Sequence, residues 1–360
     1  MKIIFITRTY PPIVGGMEKV SYEITTRISK LVPSYIIANR KGRKNLPFFL
    51  PYAFLKGLFL IVTKSVNVVH LSDAMLSPLG LALKYLTGRK VVTTVHALDV
   101  THRNPLYQFI IPRCLKRLDK IISISDYTIE ECVKRGVPRE KCVFIPNGVN
   151  PDEFILNERD IREKLSKEIK VDLKKKKVLL SVGHLVKRKG FNWFIENVMC
   201  NLDKDVIYII IGGYGNASKG DELQRYQELI NRLELQNRVF LLGKTSDRIL
   251  KLAYNSADLF IMPNIKVPGD AEGFGIVAIE ASSIGLPVIA SNLEGLKDAI
   301  KNGENGYLIE FNNANAFIKK VNELLRKNKL IGGLRKKAKE FTRKNYSWNK
   351  ISRKYLMEFK

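Results

Sequence analysis

Short apolar segments rich in Ile and Val recur along the chain and alternate with longer segments of helical character. Continuous apolar runs of this length are typical of strands buried on both faces, as in a parallel sheet. In the first half of the chain the predicted strands are residues 2–7, 35–38, 66–71, 90–95, 120–124 and 142–145. The predicted helices between them are residues 18–31, 46–63, 76–86, 105–117 and 127–135. This alternation predicts a doubly wound α/β domain.

A second series of the same kind follows a charged stretch at residues 152–176. Its predicted strands are residues 178–182, 206–211, 239–242, 259–262, 287–290 and 307–309. Its predicted helices are residues 191–199, 221–234, 247–255, 275–284, 314–327 and 333–344. The sequence therefore predicts two similar α/β domains with a hinge near residues 150–175. Open α/β sheets bind ligands at the carboxyl ends of their strands, so we expect the site in the cleft between those two edges.

The charge of the chain narrows the choice of partners. Its 360 residues carry 61 Lys and Arg against 35 Asp and Glu, a formal net charge of +26. Before Lys120 the acidic residues are only Glu18, Glu23, Asp73, Asp99 and Asp119. Such a charge fits nucleic acid, an anionic membrane surface or a phosphorylated substrate. For any single basic cluster, a solvated surface is the simpler interpretation.

The longest apolar run covers residues 46–62, with Lys56 inside it. It is shorter than the roughly 20 apolar residues of a membrane span, and we interpret it as a helix that packs on a sheet. The alternative is a helix in a membrane interface beside the basic residues 40–44. That alternative would place in the interface the side chains of Phe48, Phe49, Leu50 and Phe54.

Cysteine and histidine usage argues against disulfides and metal centres. Cys114, Cys132, Cys142 and Cys200 form no C-x-x-C pair, and the chain opens on a predicted strand rather than on a secretory signal. We therefore expect a reducing cytoplasm. The four histidines show no zinc-ligand spacing, so we expect no metal.

Two loops of the first predicted domain carry candidate binding residues at strand ends. Gly15 and Gly16 precede a helix, where small residues let backbone N–H groups approach an anion, although a tight turn explains them equally well. His96 follows the strand at residues 90–95 and would point into the cleft. There it would donate to a sugar hydroxyl or a phosphate, or else bond only to the backbone.

Two loops of the second predicted domain are rich in glycine. Residues 183–190 hold His184, Lys187, Arg188 and Lys189 between glycines, which fits a diphosphate site without the Walker A spacing. Residues 212–215, including Gly213, form a second glycine-rich turn at the next strand end. Neither loop has the full G-x-G-x-x-G, so a dinucleotide site is not supported.

The segment Glu272–Glu280 is the strongest candidate for chemistry. Glu272 precedes the turn Gly273-Phe274-Gly275, and Glu280 lies further along the apolar helix that follows. The two carboxylates are placed to accept hydrogen bonds from two separate hydroxyl-bearing rings. Burying Glu280 among apolar residues is costly without such partners, which argues against a plain surface charge.

Glu272–Glu280 resembles the E-x7-E signature of the family-four retaining glycosyltransferases. The segments 262–263, 285–291, 303–307, 15–18 and 145–149, and the position of His96, are also similar to that family, in the same order along nearly the whole chain. The resemblance implies the GT-B architecture, two Rossmann-like domains facing across a cleft. Its boundaries here would be 1–165 for the acceptor domain, 166–344 for the donor domain and 345–360 for a final helix that returns to the first domain.

The resemblance also implies roles for the candidate residues. Glu280 would bind the donor ribose, Glu272 the transferred sugar, and Lys189 the diphosphate. Gly16, Gly213, Gly273, Phe274 and Gly275 would line the donor site, and His96 would contact the sugar. The family commonly has Arg where His184 stands, and the two side chains differ in charge and geometry. Lys187 or Arg188 would then replace it, or a protonated His184 would itself bind the diphosphate.

The implied reaction is transfer of a hexosyl group from a UDP- or GDP-sugar with retention of configuration and without metal or other cofactor. The acceptor would be a glycan or a polyprenyl- or other lipid-linked sugar, and the enzyme would work in the cytoplasm, peripheral to the inner membrane face. No carboxylate nucleophile is evident. The resemblance implies front-side attack in which the leaving diphosphate takes the acceptor proton, and Lys189 and backbone N–H groups would stabilise its charge. His96, Glu272 and Lys189 are the expected catalytic residues.

Other functions compete with this interpretation. A nucleotide-sugar epimerase would share the architecture and release an epimerised sugar. A sugar phosphorylase would need a pyridoxal phosphate lysine, and none is identifiable. A basic nucleic-acid-binding protein fits the net charge, but the chain shows no recognisable nucleic-acid-binding module. Nucleic-acid binding also does not explain the arrangement of Glu272–Glu280. We therefore expect no nucleic acid partner.

Overall fold

The computed structural model describes residues 1–13, 15–213 and 219–360, which form two compact units. The first unit comprises Met1–Gly148, Gly269–Phe274 and Tyr346–Lys360, and the second comprises Val149–Pro268 and Gly275–Asn345. The domain boundaries expected from the sequence stay predictions.

The first unit is built on a six-stranded parallel sheet with the order β2-β1-β3-β4-β5-β6. Its strands are β1 (Ile3–Thr7), β2 (Ser34–Ala38), β3 (Val68–Leu71), β4 (Lys90–Val95), β5 (Lys120–Ser123) and β6 (Cys142–Phe144). Its first helices are α1 (Gly16–Ser29), α2 (Leu46–Lys64), α3 (Ser77–Thr87), α4 (Leu98–Thr101), α5 (Pro105–Leu115) and α6 (Asp126–Lys134). Ile4 and Ile6 of β1 face a core that α2, α3, α5 and α6 cover, whereas Phe5 faces the opposite side, because side chains alternate along a strand.

The second unit contains another six-stranded parallel sheet, with the order β12-β11-β10-β7-β8-β9. Its strands are β7 (Lys177–Val182), β8 (Val206–Ile211), β9 (Val239–Gly243), β10 (Leu259–Met262), β11 (Val288–Ser291) and β12 (Gly306–Ile309). Its helices are α7 (Ile161–Ile169), α8 (Phe191–Asn197), α9 (Lys219–Arg232), α10 (Asp247–Ser256), α11 (Ile276–Ser283), α12 (Leu296–Ala299), α13 (Ala314–Arg326) and α14 (Asn328–Tyr346).

The predicted fold class is confirmed, since both sheets are parallel and doubly wound. All twelve predicted strands have a counterpart within two residues at either end. Among the described residues, the four-residue helices α4 and α12 and the longer α7 were not predicted. The charged stretch at residues 152–176 contains α7, whose Leu165 is fully buried while its other side chains are half-buried or exposed. One buried position in nine residues leaves little hydrophobic periodicity to detect.

The last helix, α15 (Trp348–Phe359), belongs to the first unit and covers the side of its sheet that α2 does not. The Phe359 ring lies 6.2 Å from Phe5 and 5.4 Å from His70. The Tyr355 hydroxyl lies 3.2 Å from Thr94 Oγ1. At the start of the helix, a Cβ on Gly148 would lie only 2.5 Å from the Trp348 ring, so the chain at Gly148 is in direct contact with α15.

His70 should make the first unit sensitive to acid. Its ring is buried under α15, with Nε2 2.9 Å from Thr94 Oγ1, and burial lowers its pKa to about 3, helped by His96. Between that value and the ordinary pKa near 6.5 the unfolded chain binds the extra proton, so stability falls as pH falls. From pH 6.5 to 5 the loss from His70 should reach about 2 kcal/mol. Chemical unfolding of the His70→Gln variant should show a correspondingly flatter pH dependence. His102→Gln, at an exposed site, is the control, and equal slopes in the two variants would contradict the assignment.

Candidate active site

The second sheet reverses its strand order between β7 and β10. The chain adds β8 and β9 on one side of β7 and then returns to add β10, β11 and β12 on the other side. The loops after β7 and β10 therefore leave the sheet in opposite directions and open a crevice at the carboxyl ends of the strands, where α/β proteins bind ligands. Most of the predicted donor-site residues follow β7 or surround the start of α11.

The loop after β7 brings three of the predicted residues together. Lys189 is only 7% exposed, and its side chain runs along Gly183, where a Cβ would lie 3.1 Å from Lys189 Cε and 3.5 Å from Nζ. His184 is exposed, and its Nδ1 lies 3.3 Å from the carbonyl oxygen of Gly213. Tyr214 and Gly215, the rest of the predicted glycine-rich turn, lie outside the described residues. The loop thus holds both a buried ammonium-bearing side chain and an exposed imidazole.

Backbone contacts join the loops on the two sides of the crevice. Gly190, with φ of +67°, lies so close to the carbonyl oxygen of Pro263 that a Cβ there would overlap it. Beside it, the Ile265 N–H donates a 3.0 Å hydrogen bond to the Arg188 carbonyl oxygen. The position of Lys189, between these two contacts, is therefore set by the backbone on both sides.

Helix α11 follows the loop after β10 and carries Glu280. Gly275 is its N-cap residue with φ of +81°, and a Cβ there would lie 3.2 Å from Met262 Cε. Glu280 is 7% exposed, and the Tyr254 hydroxyl donates a 3.2 Å hydrogen bond to its Oε2. Burial, and then the charge of Glu280, raise the pKa of Tyr254 well above its ordinary value, so the hydroxyl stays a donor. Tyr254 therefore fixes one carboxylate oxygen of Glu280.

The first sheet has its own reversal between β1 and β3, and His96 lies near it. His96 follows β4 and is 8% exposed. Its Nε2 lies 2.9 Å from the carbonyl oxygen of Ser72 after β3, so this nitrogen carries the proton and donates. Its backbone N–H donates a 2.7 Å hydrogen bond to Asp99 Oδ1. Gly16, the other predicted residue here, is exposed at the start of α1.

A charged cluster with two buried carboxylates supports His96, and the sequence patterns did not single it out. Arg8 Nε donates a 2.8 Å hydrogen bond to Asp73 Oδ1, and Asp99 Oδ2 accepts a 2.9 Å hydrogen bond from the Ala74 N–H. Burial raises the pKa of Asp99, and nearby Asp73 adds to the rise. Arg8, Asp73 and Asp99 follow β1, β3 and β4, so the strand-end rule that singled out His96 was the signal for them too.

The two glutamates of the E-x7-E segment belong to different units. Glu272, Gly273 and Phe274 are part of the first unit, whereas Glu280 is part of the second. A Cβ on Gly273 would lie 2.8 Å from the carbonyl oxygen of His96, so the backbone beside Glu272 packs directly on the His96 loop. Phe274 is buried, with its ring 5.8 Å from that of Tyr346. Glu272 is therefore grouped with His96, and Glu280 with Tyr254.

The part of the chain that the structure describes contains no candidate metal site. Among residues 1–13, 15–213 and 219–360, no group of three or more His, Cys, Asp or Glu side chains is placed to hold a metal ion. That the reaction needs no metal or other cofactor stays a prediction.

Two doubly wound parallel-sheet units with glycine-rich and charged loops at their strand ends define the GT-B class of glycosyltransferases. The chain belongs to the family Glycosyl transferases group 1, whose sequence profile matches residues 162–345. The profile of Glycosyltransferase Family 4 matches residues 14–153. The resemblance inferred from Glu272–Glu280 and the accompanying segments is thereby confirmed, and the protein is a glycosyltransferase.

Individual relatives agree with this family. An uncharacterized glycosyltransferase of Methanocaldococcus jannaschii is 26% identical, over 100% of this chain and 98% of the relative. A UDP-Gal:alpha-D-GlcNAc-diphosphoundecaprenol alpha-1,3-galactosyltransferase of Escherichia coli is 30% identical, over 72% of this chain and 66% of the relative. The crystal structure of HepE from Anabaena in complex with UDP is 18% identical and superposes with a TM-score of 0.81 over 99% of each chain, which shows a shared fold.

Proposed function

We propose that the protein transfers a hexosyl group from a UDP- or GDP-sugar to a glycan or lipid-linked acceptor, with retention of configuration and without a metal. The observation that carries the proposal is the crevice of the second sheet, where buried Lys189 lies between the backbone contacts that join the loops after β7 and β10. A buried cation at the strand ends of an α/β unit is suited to a diphosphate.

Each predicted residue has a role that its surroundings support. Lys189 stabilises the charge that develops on the leaving diphosphate, and the N–H groups at the start of α11 add to it. Glu280, whose Oε2 accepts a hydrogen bond from Tyr254, accepts hydrogen bonds from the ribose hydroxyls. Glu272 and His96 contact the transferred sugar, and the second ring nitrogen of His96 is its remaining acceptor.

The relatives support a choice of donor and acceptor. HepE was crystallised with UDP, and the Escherichia coli enzyme is named for UDP-Gal and a sugar linked to diphosphoundecaprenol. We therefore favour a UDP-sugar as donor and a polyprenyl-diphosphate-linked sugar as acceptor, in the cytoplasm at the inner membrane face. Family membership favours transfer over epimerisation, phosphorolysis and nucleic acid binding.

Replacing Glu280 with Gln should weaken binding of the free nucleotide. The substitution keeps the side-chain volume but removes the charge, and a hydrogen bond to a charged group contributes about 10- to 100-fold in affinity. Calorimetric titration with UDP and GDP measures the change. Glu340→Gln, at an exposed position of α14, is the matched control and should bind normally. Unchanged nucleotide affinity in the Glu280 variant would rule out the ribose assignment.

A further inference from the structure

The side of α2 that faces away from the sheet is apolar and exposed. Phe48, Tyr52, Leu55, Phe59 and Val62 are between 56% and 77% exposed. Their spacing of four, three, four and three residues places all five on one stripe of the helix. The opposite side of α2 lies in the core of the first unit, through Phe49, Ala53, Leu60 and Ile61. The packing predicted for this run is thus real, but it uses only half of the helix.

Two neighbouring helices extend the exposed apolar surface. Helix α3 contacts both α2 and α5, and all three cover the same core on one side of the sheet. Tyr85 and Leu86 of α3 are 69% and 64% exposed, and Leu106 and Phe109 of α5 are 66% and 58% exposed. We refer to the outer surface of α2, α3 and α5 as the α2–α3–α5 face. Exposed apolar patches that span several elements usually mark an interaction surface.

The charge of the α2–α3–α5 face has a single sign. None of the three helices contains an Asp or Glu. Lys44 just before α2 and Lys56 and Lys64 on it are exposed, and the Lys56 ammonium lies 5.4 Å from the ring centre of Phe59. On α5, the Arg113 guanidinium lies 3.8 Å from the ring centre of Phe109. The cations therefore border the apolar stripe rather than forming a separate patch.

The nearby acidic residues do not offset these cations. Asp73 and Asp99 are buried, and Asp119 is held by Lys84 at 2.7 Å. Glu131 of α6 is held by Lys134 and Arg135. Glu18 and Glu23 lie on α1, whose apolar residues line the other side of the sheet together with Phe5 and His70. A partner that binds the α2–α3–α5 face must therefore combine an apolar region, into which the exposed side chains can insert, with negative charge.

We propose that the α2–α3–α5 face docks on the surface of an anionic phospholipid bilayer, with α2 lying in the plane of the interface. A bilayer supplies both requirements, because the acyl boundary accepts the aromatic and aliphatic stripe and anionic headgroups pair with the bordering lysines. Among the described residues, the segment Arg43–Lys64 is long and apolar enough to cross a membrane. Crossing would remove Phe49, Ala53, Leu60 and Ile61 from the core, whereas docking in the interface leaves them in place.

This inference rests on the location given in the proposed function and deepens it by naming the surface that docks on the membrane, but it depends on neither donor nor acceptor. Flotation of the full chain with vesicles of phosphatidylcholine, with and without phosphatidylglycerol, tests it in the absence of any sugar nucleotide. We expect binding to the vesicles that contain phosphatidylglycerol at low salt, and weaker binding at high salt. Failure of the wild-type protein to float at low salt would overturn the proposal and leave the Glu280 test of the proposed function unaffected.

Two sets of variants locate the surface. Leu55→Gln with Phe59→Gln should lower vesicle affinity about tenfold or more, since each removes an apolar side chain from the interface. Lys44→Gln, Lys56→Gln and Lys64→Gln together should lower it about 100-fold, because each cation near an anionic surface contributes about fivefold. Because the substituted side chains are exposed, both sets should keep wild-type UDP affinity and circular dichroism.

Matched controls change the same residue types elsewhere. Leu31→Gln with Met357→Gln alters exposed apolar positions outside the α2–α3–α5 face, and should bind vesicles as the wild type does. Lys174→Gln, Lys204→Gln and Lys301→Gln together remove the same charge from the second unit, and should cost far less than the α2 set. Equal losses in variants and controls would overturn the proposal. Self-association that the Leu55 and Phe59 changes abolish, without vesicle binding, would instead assign the face to a second copy of the chain.

Discussion

Replacing Lys189 with Met should lower kcat by about a hundred- to a thousandfold, the usual cost of removing one group that stabilises developing negative charge. The aliphatic part of Lys189 packs along Gly183, and Met retains that packing while removing the ammonium group. Because the charge on the diphosphate grows as the sugar bond breaks, the loss should appear in kcat more than in KM. Steady-state kinetics with the preferred UDP-sugar measures both constants.

Lys187 supplies the matched control for this prediction. It lies two residues earlier in the same short turn, carries the same charge and is exposed. Lys187→Met should therefore lower kcat only a few-fold, by weakening the local field. If the two variants lost activity equally, the buried position of Lys189 would have no special role, and general basicity of the loop would explain the effect.

Replacing Gly190 with Ala should destabilise the second unit by about 3 kcal/mol or more, because steric and backbone costs add at this position. A Cβ would overlap the Pro263 carbonyl oxygen, which is backbone and cannot rotate away, and the φ of +67° is unfavourable for Ala. Relief requires the loops after β7 and β10 to separate, so nucleotide binding should weaken as well. Trp193 in α8 reports unfolding of this unit by fluorescence in a Trp348→Phe background.

Gly303 separates the two contributions to this cost. Its φ of +75° is similar, but nothing lies within 4 Å of a Cβ at that position. Gly303→Ala should therefore cost only about 1–2 kcal/mol, the penalty of a left-handed backbone for an L-residue. A Gly190→Ala variant no less stable than Gly303→Ala would show that the two loops are not held together as the contact at Pro263 implies.

Much of the fold could be predicted because the pattern that specifies it is local. Strands such as β8, whose six residues are all buried, appear in the sequence as uninterrupted apolar runs. The order of those strands in each sheet is not local. It depends on which helix covers which face, and the alternation of elements restricts that choice without deciding it.

The candidate site was predictable to the extent that its residues lie at strand ends in recognisable segments. The loop that holds Lys189 and the segment Glu272–Glu280 were found in this way. The hydrogen bond from Tyr254 to Glu280 was not, because it joins two helices distant in sequence. The same limit applied to α2. When nearly every position of a helix is apolar, the sequence does not show which side faces the core. The interface alternative therefore included Phe49, which is buried, and omitted Leu55 and Val62, which are exposed.

The position of α15 on the sheet of the first unit has a consequence for how the protein is made. A ribosome releases the strands of that sheet, which end at Phe144, about 200 residues before it releases Trp348, roughly 10–40 s earlier at 5–20 residues per second. Throughout that interval the side of the sheet that carries Phe5 and His70 has α1 on it but lacks the part of its cover that α15 supplies. The nascent first unit therefore waits with an apolar surface available to chaperones, and a premature stop near residue 345 would leave it permanently incomplete while sparing nearly all of the second unit.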